Sequence, residues 1–216
     1  MSTIVYVTPQ TPTAGVTPYR SLVRTVAPAV EPVSLSEAKV HLRVDTDADD
    51  AYISTLITVA REYCEERLNA TFIESTWVAK YDVFPLWELT LPRPPMVSSN
   101  VSITYRDESG SNQTITSDAG SFQVDAAVIP GRVYPNYNEV WPAVRGDENS
   151  VVVTYKAGYG TTSASVPGTV KHGILLLCGH WFASREPVTV GSTAQNLPIP
   201  YTFETLIAMG GWGNYQ

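Results

Sequence analysis

Histidine and cysteine are the residue types in this sequence best suited to nucleophilic chemistry, which needs a Ser or Cys beside a His that a carboxylate orients. Cys178 and His180 are two positions apart in a helical pattern. That spacing places them about 200° apart around a helix, so they cannot pair. His41 and His172 have no nucleophile at a recognisable spacing, and no G-x-S-x-G, H-E-x-x-H or Walker motif occurs. We therefore expect no enzyme activity.

Alternating carboxylates at Asp45, Asp47 and Asp49 resemble the start of a calcium loop. The rest of that motif is missing, because Asp50 stands where the loop needs glycine and Leu56 where it needs a bidentate glutamate. These aspartates are better interpreted as caps that complement the positive end of a helix dipole. We expect no bound metal and no cofactor.

A glycine-containing turn, Gly158-Tyr159-Gly160, follows a strand pattern and precedes a helix pattern, as phosphate-binding turns do. Its spacing does not fit, because Ser163 replaces the third glycine and the helix begins only near Pro167. We interpret the turn as a flexible connection between strand and helix.

Composition limits the class of protein. The chain has 216 residues, 44% of them hydrophobic, which suffices for one large or two small domains. A net charge of −7 argues against stable nucleic-acid binding, and residues 31–74 hold ten acidic and only four basic side chains. Cys64 and Cys178 lie in apolar helical patterns, which predicts buried free thiols in a reducing compartment. We expect no secretion signal and no membrane span.

Two helices are predicted in the first third of the chain. Ser34 and Glu37 form a capping box that starts a helix ending near Arg43. A second helix, from about Ala48 to Leu68, is predicted by apolar residues at helical spacing, with Asn69 as a plausible stop. Its apolar residues are Ile53, Leu56, Ile57, Ala60, Cys64 and Leu68.

The pattern then alternates with a period of two. Runs at 76–84, 101–105 and 151–155 are rich in β-branched and aromatic residues and are separated by turn signals, which predicts an antiparallel β module over about Thr76–Lys156. Helical spacing returns after Pro167, and a last short helix is predicted for Tyr201–Met209.

These elements predict an α+β fold in which a helical bundle built from both chain ends is interrupted by an inserted antiparallel β module. An extended N-terminal arm and a C-terminal tail flank it. The predicted divisions are an arm at 1–32, a bundle at 33–74 and 166–209, a β module at 75–165 and a tail at 210–216.

The order of these segments resembles the head-to-tail connector (adaptor) family of tailed bacteriophages, in its longer members that carry a β insertion. The resemblance rests on Val33–Asp45, Asp49–Ile57, Ala60–Glu65, Leu91–Pro95, Val153–Gly160, Val166-Pro167, Gly173–Leu177 and His180–Glu186. Two departures are the Met209-Gly210-Gly211-Trp212 ending, where the family often has a Tyr-Arg type sequence, and a longer Thr/Pro-rich arm before residue 33.

The resemblance implies a structural virion protein of the neck, between head and tail, present in the host cytoplasm during assembly. It implies a homo-oligomeric, dodecameric ring beneath the portal that extends the DNA channel and receives a tail, stopper or nozzle protein. DNA would pass through without specific binding, and no membrane is involved.

Two groups of residues are predicted to serve that role. The C-terminal segment is expected to dock onto the portal through aromatic side chains whose own fold offers little to cover them, namely Tyr201, Phe203, Trp212 and Tyr215. Acidic residues around the second helix are expected to face the DNA channel, namely Asp45, Asp47, Asp49, Asp50, Glu62, Glu65 and Glu66.

Two other functions remain open from the residues alone. A carbohydrate- or receptor-binding tail module is suggested by aromatic residues in the β region, such as Tyr134, Tyr137 and Trp141. A small hydrolase with an unrecognised constellation is the third hypothesis.

Overall fold

The computed structural model describes residues 19–99, 101–117 and 119–184. Within them the chain forms two compact units, one made of residues 30–68 and 162–184 and the other of residues 19–29 and 69–161. The first unit is helical and the second consists of antiparallel sheets, so the predicted α+β class is confirmed. The predicted Tyr201–Met209 helix and the 210–216 tail lie outside the described residues.

The helical unit contains α1 (Leu35–Leu42), α2 (Asp50–Leu68) and α3 (Gly168–Ala183). Helix α1 begins with the predicted capping box: the Glu37 N–H donates to Ser34 Oγ at 3.2 Å, and the Ser34 N–H donates to Glu37 Oε2 at 2.7 Å. It ends at Arg43, whose φ of 57° turns the chain into the left-handed region. The capping and helical patterns therefore predicted this unit's local structure correctly.

The core of the helical unit lies where α2 packs on α3, with α1 touching both. Five of the six predicted apolar positions of α2 are buried, whereas Leu68 at its end is only partly buried. The buried residues of α3 are Val170, Gly173, Ile174, Leu177 and Cys178. At the end of the interface, Tyr63 meets Trp181 edge to face with ring centroids 6.0 Å apart. Because α2 and α3 each have a continuous apolar stripe, mutual burial is the strongest force holding the unit together.

We expect Ser34→Ala to lower the free energy of unfolding by about 1 kcal/mol, the usual effect of losing an N-cap. The hydrogen bonds from the Ser34 backbone and side chain hold the pKa of Glu37 below its ordinary value of 4.5. A lowered folded-state pKa contributes stability above pH 4.5 that is lost as the pH falls through the folded-state value. Urea unfolding at pH 7 and pH 3 should therefore show a smaller loss for Ser34→Ala at pH 3. An equal loss at both pH values would contradict the role of the carboxylate.

The β unit contains eight strands in two sheets. The five-stranded sheet has the order β1 (Ser21–Val26), β2 (Ser75–Tyr81), β8 (Val151–Ala157), β4 (Ser102–Arg106), β5 (Asn112–Thr116). The three-stranded sheet has the order β3 (Leu89–Leu91), β7 (Gly131–Tyr134), β6 (Gln123–Asp125). All pairings are antiparallel.

The core of the β unit is supplied by alternate residues of the central strands. In β2 and β8 every second residue is buried, including Trp77, Tyr81, Val153 and Tyr155. The Tyr155 hydroxyl donates to the carbonyl of Pro92 at 2.7 Å, so its polar atom is satisfied inside the core. This alternation is the signal that predicted the β module.

Two features of the β unit differ from the sequence-based expectation. Ser21–Val26, which was expected to be part of an extended arm, pairs with β2 along the sheet edge. Strands β3, β5, β6 and β7 were not predicted, because they are three to five residues long or lack apolar alternation. Such strands depend on pairing and burial against their neighbours rather than on their own pattern.

Candidate interaction surfaces

The two cysteines are buried free thiols, as predicted. Burial raises the pKa of Cys64 to about 12 and that of Cys178 to about 12. Since the thiolate is the nucleophile, both side chains are chemically inert at neutral pH. They act as small apolar residues of the α2–α3 interface.

The structure brings together two histidines that the sequence did not connect. His41 of α1 and His172 of α3 meet edge to face with ring centroids 6.2 Å apart, and both are exposed. Within the described residues no group of three His, Cys, Asp or Glu side chains is arranged to hold a metal ion. We assign the histidine pair a packing role at the edge of the helical unit.

Two backbone amides of the glycine-containing turn at 158–160 are hydrogen-bonded within the β unit. The Gly158 N–H donates to the Pro95 carbonyl at 2.8 Å, and the Tyr159 N–H donates to the Phe72 carbonyl at 3.1 Å. Two amides that a phosphate would need are thus already used. Gly158 has φ 137°, and a Cβ there would lie 2.5 Å from the backbone nitrogen of Glu74. The glycine is required because two backbone segments approach closely.

Two aspartates near the start of α2, Asp47 and Asp50, form ion pairs with one lysine, Lys39. Lys39 Nζ lies 2.8 Å from Asp47 Oδ1 and 2.7 Å from Asp50 Oδ1. The hydrogen bond from Lys39 lowers the pKa of Asp47, and the same contact raises the pKa of Lys39. Asp45 and Asp47 are exposed, whereas Asp49 and Asp50 are partly buried. This surface is therefore acidic, but one cation partly neutralises it.

Glu65 does not belong to the predicted acidic surface, because its side chain is buried. Its side chain is only 2% exposed, and its Oε2 accepts from Arg61 Nη1 at 2.9 Å. Arg61 also donates from Nε to Glu31 Oε2 at 2.7 Å. A carboxylate buried in this way cannot face a channel, because it is enclosed by its own unit. Glu62 and Glu66, in contrast, are exposed.

Burial would lower the pKa of Arg61, but the attraction of Glu65 and Glu31 outweighs it and the pKa is raised. The guanidinium thus stays charged inside the helical unit and ties α2 to the segment before α1. The sequence carried a signal for this arrangement: Arg61 and Glu65 continue the i+4 row of Ile53 and Ile57 along the buried face of α2. Charged residues in such a row indicate a buried pair.

Two loops of the β unit expose large apolar side chains. Leu86 and Trp87 are 91% and 81% exposed, and Tyr137 and Val140 are 89% and 87% exposed. The loops touch through Trp141, whose Nε1 donates to the Trp87 carbonyl at 3.3 Å. Apolar exposure of this extent is typical of interaction sites.

The aromatic residues expected to form a ligand platform are mostly occupied. Trp141 stacks on Phe84 with ring centroids 4.8 Å apart and an interplanar angle of 3°. Tyr134 is partly buried in β7, which leaves Tyr137 as the one fully exposed member of the predicted trio. The trio therefore does not present three free ring faces to a sugar.

The four predicted portal-docking residues, Tyr201, Phe203, Trp212 and Tyr215, lie outside the described residues, and their role stays a prediction. Among the helices described, none combines the length and apolarity needed to cross a membrane.

The described residues thus combine an α+β fold, two buried thiols and exposed apolar loops. Residues 32–123 match the family of phage gp6-like head-tail connector proteins. The resemblance predicted from the sequence is therefore confirmed. No curated protein matches the chain.

Solved structures show the same fold at low sequence identity. A chain of the "Neck of empty GTA particle computed with C6 symmetry" aligns with TM-score 0.69 and 18% identity, over 88% of this chain and 94% of that chain. A chain of the "Virion of native gene transfer agent (GTA) particle" aligns with TM-score 0.68, 18% identity and the same coverage. A chain of the "Neck of native GTA particle computed with C12 symmetry" aligns with TM-score 0.55 and 17% identity, over 85% and 93%.

Proposed function

We propose that this chain is a structural head-to-tail connector of a virion neck, where it forms a ring beneath the portal and extends the DNA channel. The observation that carries the proposal is the connector-family match over residues 32–123 together with likeness to neck chains over 88% of the sequence. The proposed location is the virion neck, after assembly in the host cytoplasm.

The two units fit the two parts expected of a longer connector. The helical unit, residues 30–68 and 162–184 of the described part, overlaps the proposed adaptor bundle of 33–74 and 166–209, to which the predicted Tyr201–Met209 helix also belongs. The β unit overlaps the proposed module inserted at 75–165, and Ser21–Val26 of the proposed arm at 1–32 forms its strand β1. Helices from both sides of the β insertion do pack together in the described residues, which supports the bundle.

The proposed partners are other copies of the chain in a dodecameric ring, the portal protein, and a tail, stopper or nozzle protein. Neck particles with C6 and C12 symmetry among the similar structures support the ring. A non-enzymatic role is supported by the match to a family of structural connectors.

The acidic segment is proposed to border the DNA passage. Asp45, Asp47, Glu62 and Glu66 are exposed, and a ring would repeat their charge into a negative collar that does not grip phosphates. Asp49 and Asp50 contribute less because they are partly buried, and Lys39 offsets part of the charge of Asp47 and Asp50. Glu65 is excluded from this collar by its burial.

Particle mass with and without purified portal tests the proposal. We expect the wild-type chain to form a ring, measured by light scattering, that stacks coaxially on portal rings in negative-stain images. A chain that stays monomeric and does not bind portal at micromolar concentration would overturn the connector role.

The C-terminal segment is proposed to make the portal contact through Trp212 and Tyr215. Deleting Gly211–Gln216 should leave a folded protein, as judged by circular dichroism, that no longer co-sediments with portal rings, because two anchors are lost from every copy. A matched deletion of Met1-Ser2, outside every segment assigned a contact, should leave portal binding unchanged. Undiminished portal binding by the C-terminally truncated chain would exclude this segment as the anchor.

A further inference from the structure

Among the strands that the structure describes, β5 forms one edge of the five-stranded sheet. Strand β5 carries no charged residue and no proline, and Asn112, Gln113 and Thr114 are exposed. Natural sheets usually protect such edges with charge, proline or a bulge. The opposite edge, β1, has Arg24 and a register irregularity after it. Among the described strands, β5 is therefore an edge of five residues without the usual protection.

Hydrogen bonds at the two ends of the β4–β5 hairpin fix which backbone groups point outward. The Asp107 N–H donates to the Ser111 carbonyl at 2.9 Å, and the Ser117 N–H donates to the Val101 carbonyl at 3.0 Å. Hydrogen-bonded pairs alternate along an antiparallel ladder, so the odd-numbered residues of β5 bond to β4. The N–H and C=O groups of Asn112, Thr114 and Thr116 face away from the sheet.

The outward backbone groups and uncharged side chains of β5 indicate which kind of segment could bind to this edge. Three outward N–H groups and three outward carbonyls at alternate positions match an extended strand, and an uncharged edge favours an uncharged, β-forming one. Thr3-Ile4-Val5-Tyr6-Val7 has this composition: it is uncharged, β-branched and aromatic, and it belongs to the 18 residues that precede the described part.

The chain that joins Thr3–Val7 to β1 is long enough, when extended, to span more than the width of the five-stranded sheet. The chain between Val7 and Ser21 can extend over about 46–50 Å. Strand β1, where it enters the sheet, lies four strand spacings from β5, or about 19 Å. A ring contact joins two different surfaces of the same chain, and an arm and a distant sheet edge are two such surfaces.

We propose that residues Thr3–Val7 of one copy add as a strand to the β5 edge of the next copy, so that an exchanged N-terminal arm links neighbouring subunits of the ring. This inference rests on the proposed connector function, which supplies the ring. The arm residues are the occupant, and the outward backbone groups of β5 are the site.

Two complementary variants test the exchange. Thr114→Pro removes one outward N–H and leaves the bonds to β4 intact, because proline is tolerated where an edge residue faces solvent. Thr114→Val keeps that N–H and is the matched control. A chain lacking residues 2–8 has an intact edge and no arm. We expect each of Thr114→Pro and the arm deletion to lose the wild-type ring, and Thr114→Val to keep it.

Mixing the two defective chains distinguishes exchange from an arm folded on its own sheet. The arm of Thr114→Pro should bind the edge of the arm-deleted chain and give one-to-one heterodimers by native mass spectrometry. In wild-type rings, the amides of Asn112, Thr114 and Thr116 should exchange hydrogen at least 100-fold more slowly than in the arm-deleted chain. Rings that persist in Thr114→Pro, or a mixture that stays monomeric, would overturn the arm exchange and leave the connector proposal standing. A wild-type chain without any ring would overturn both.

Discussion

Arg61→Ala is expected to lower the free energy of unfolding by about 3–5 kcal/mol, because it leaves a buried carboxylate without its partner. The Arg61 side chain is 4% exposed and that of Glu65 is 2% exposed, with 2.9 Å between Nη1 and Oε2. Glu31 also loses its 2.7 Å contact with Arg61 Nε. Urea unfolding followed by circular dichroism measures the difference.

The surrounding residues provide controls for this prediction. Glu62 lies 3.5 Å from Arg61 but is 58% exposed, so Glu62→Gln should change stability by less than about 1 kcal/mol. Replacing both Arg61 and Glu65 with leucine should be less destabilising than Arg61→Ala, since no unpaired charge remains. If Arg61→Ala and Glu62→Gln had the same small effect, the pair would not be buried as described.

Gly158→Ala is the second large change and is expected to lower the free energy of unfolding by about 2–5 kcal/mol. A left-handed backbone costs a non-glycine residue roughly 1–2 kcal/mol, and overpacking adds about 1–3 kcal/mol. The added Cβ would lie 2.5 Å from the Glu74 nitrogen and 2.7 Å from its Cα, and backbone cannot move aside as a flexible side chain can. Thermal unfolding and a urea series both report the loss.

Gly146→Ala is the matched control, because Gly146 also has positive φ, at 78°, but no atom lies within 4 Å of its Cβ position. This variant should lose only the conformational cost of a positive φ, about 1–2 kcal/mol of unfolding free energy. Equal losses of unfolding free energy at the two positions would mean that the close backbone approach at Gly158 contributes nothing. A phosphate-binding role for the turn would then have to be considered again.

The local helical structure could be predicted because each signal lies within a few residues of its effect. Ser34 and Glu37 form both hydrogen bonds of the capping box, and Asn69 takes the positive φ expected at the end of α2. The apolar stripe of α2 is buried from Ile53 to Cys64, and only Leu68 at its end is partly exposed. In each case a short pattern determines the conformation, and distant residues only add to it.

The features that the sequence did not predict depend on residues or strands elsewhere in the chain. Strand β1 follows a proline-containing stretch and gains its structure from β2, about 50 residues later. Strand β5 is polar and forms because it closes a hairpin on β4. For the candidate site, acidic residues were grouped by charge and sequence proximity, but charge alone does not show that Glu65 turns inward to Arg61. Connector function came from the order of segments, since no residue carries chemistry that defines it.

Both units are completed by segments far apart in the chain, with consequences for synthesis on the ribosome. Helix α2 ends at residue 68 and its partner α3 begins at residue 168, while β2 ends at residue 81 and its partner β8 begins at residue 151. At about 5–20 residues per second, α3 follows α2 after roughly 5–20 s. During that interval the apolar face of α2 has no α3 to cover it. A prematurely terminated chain is therefore a candidate for chaperone capture or aggregation, and a high contact order predicts slow folding.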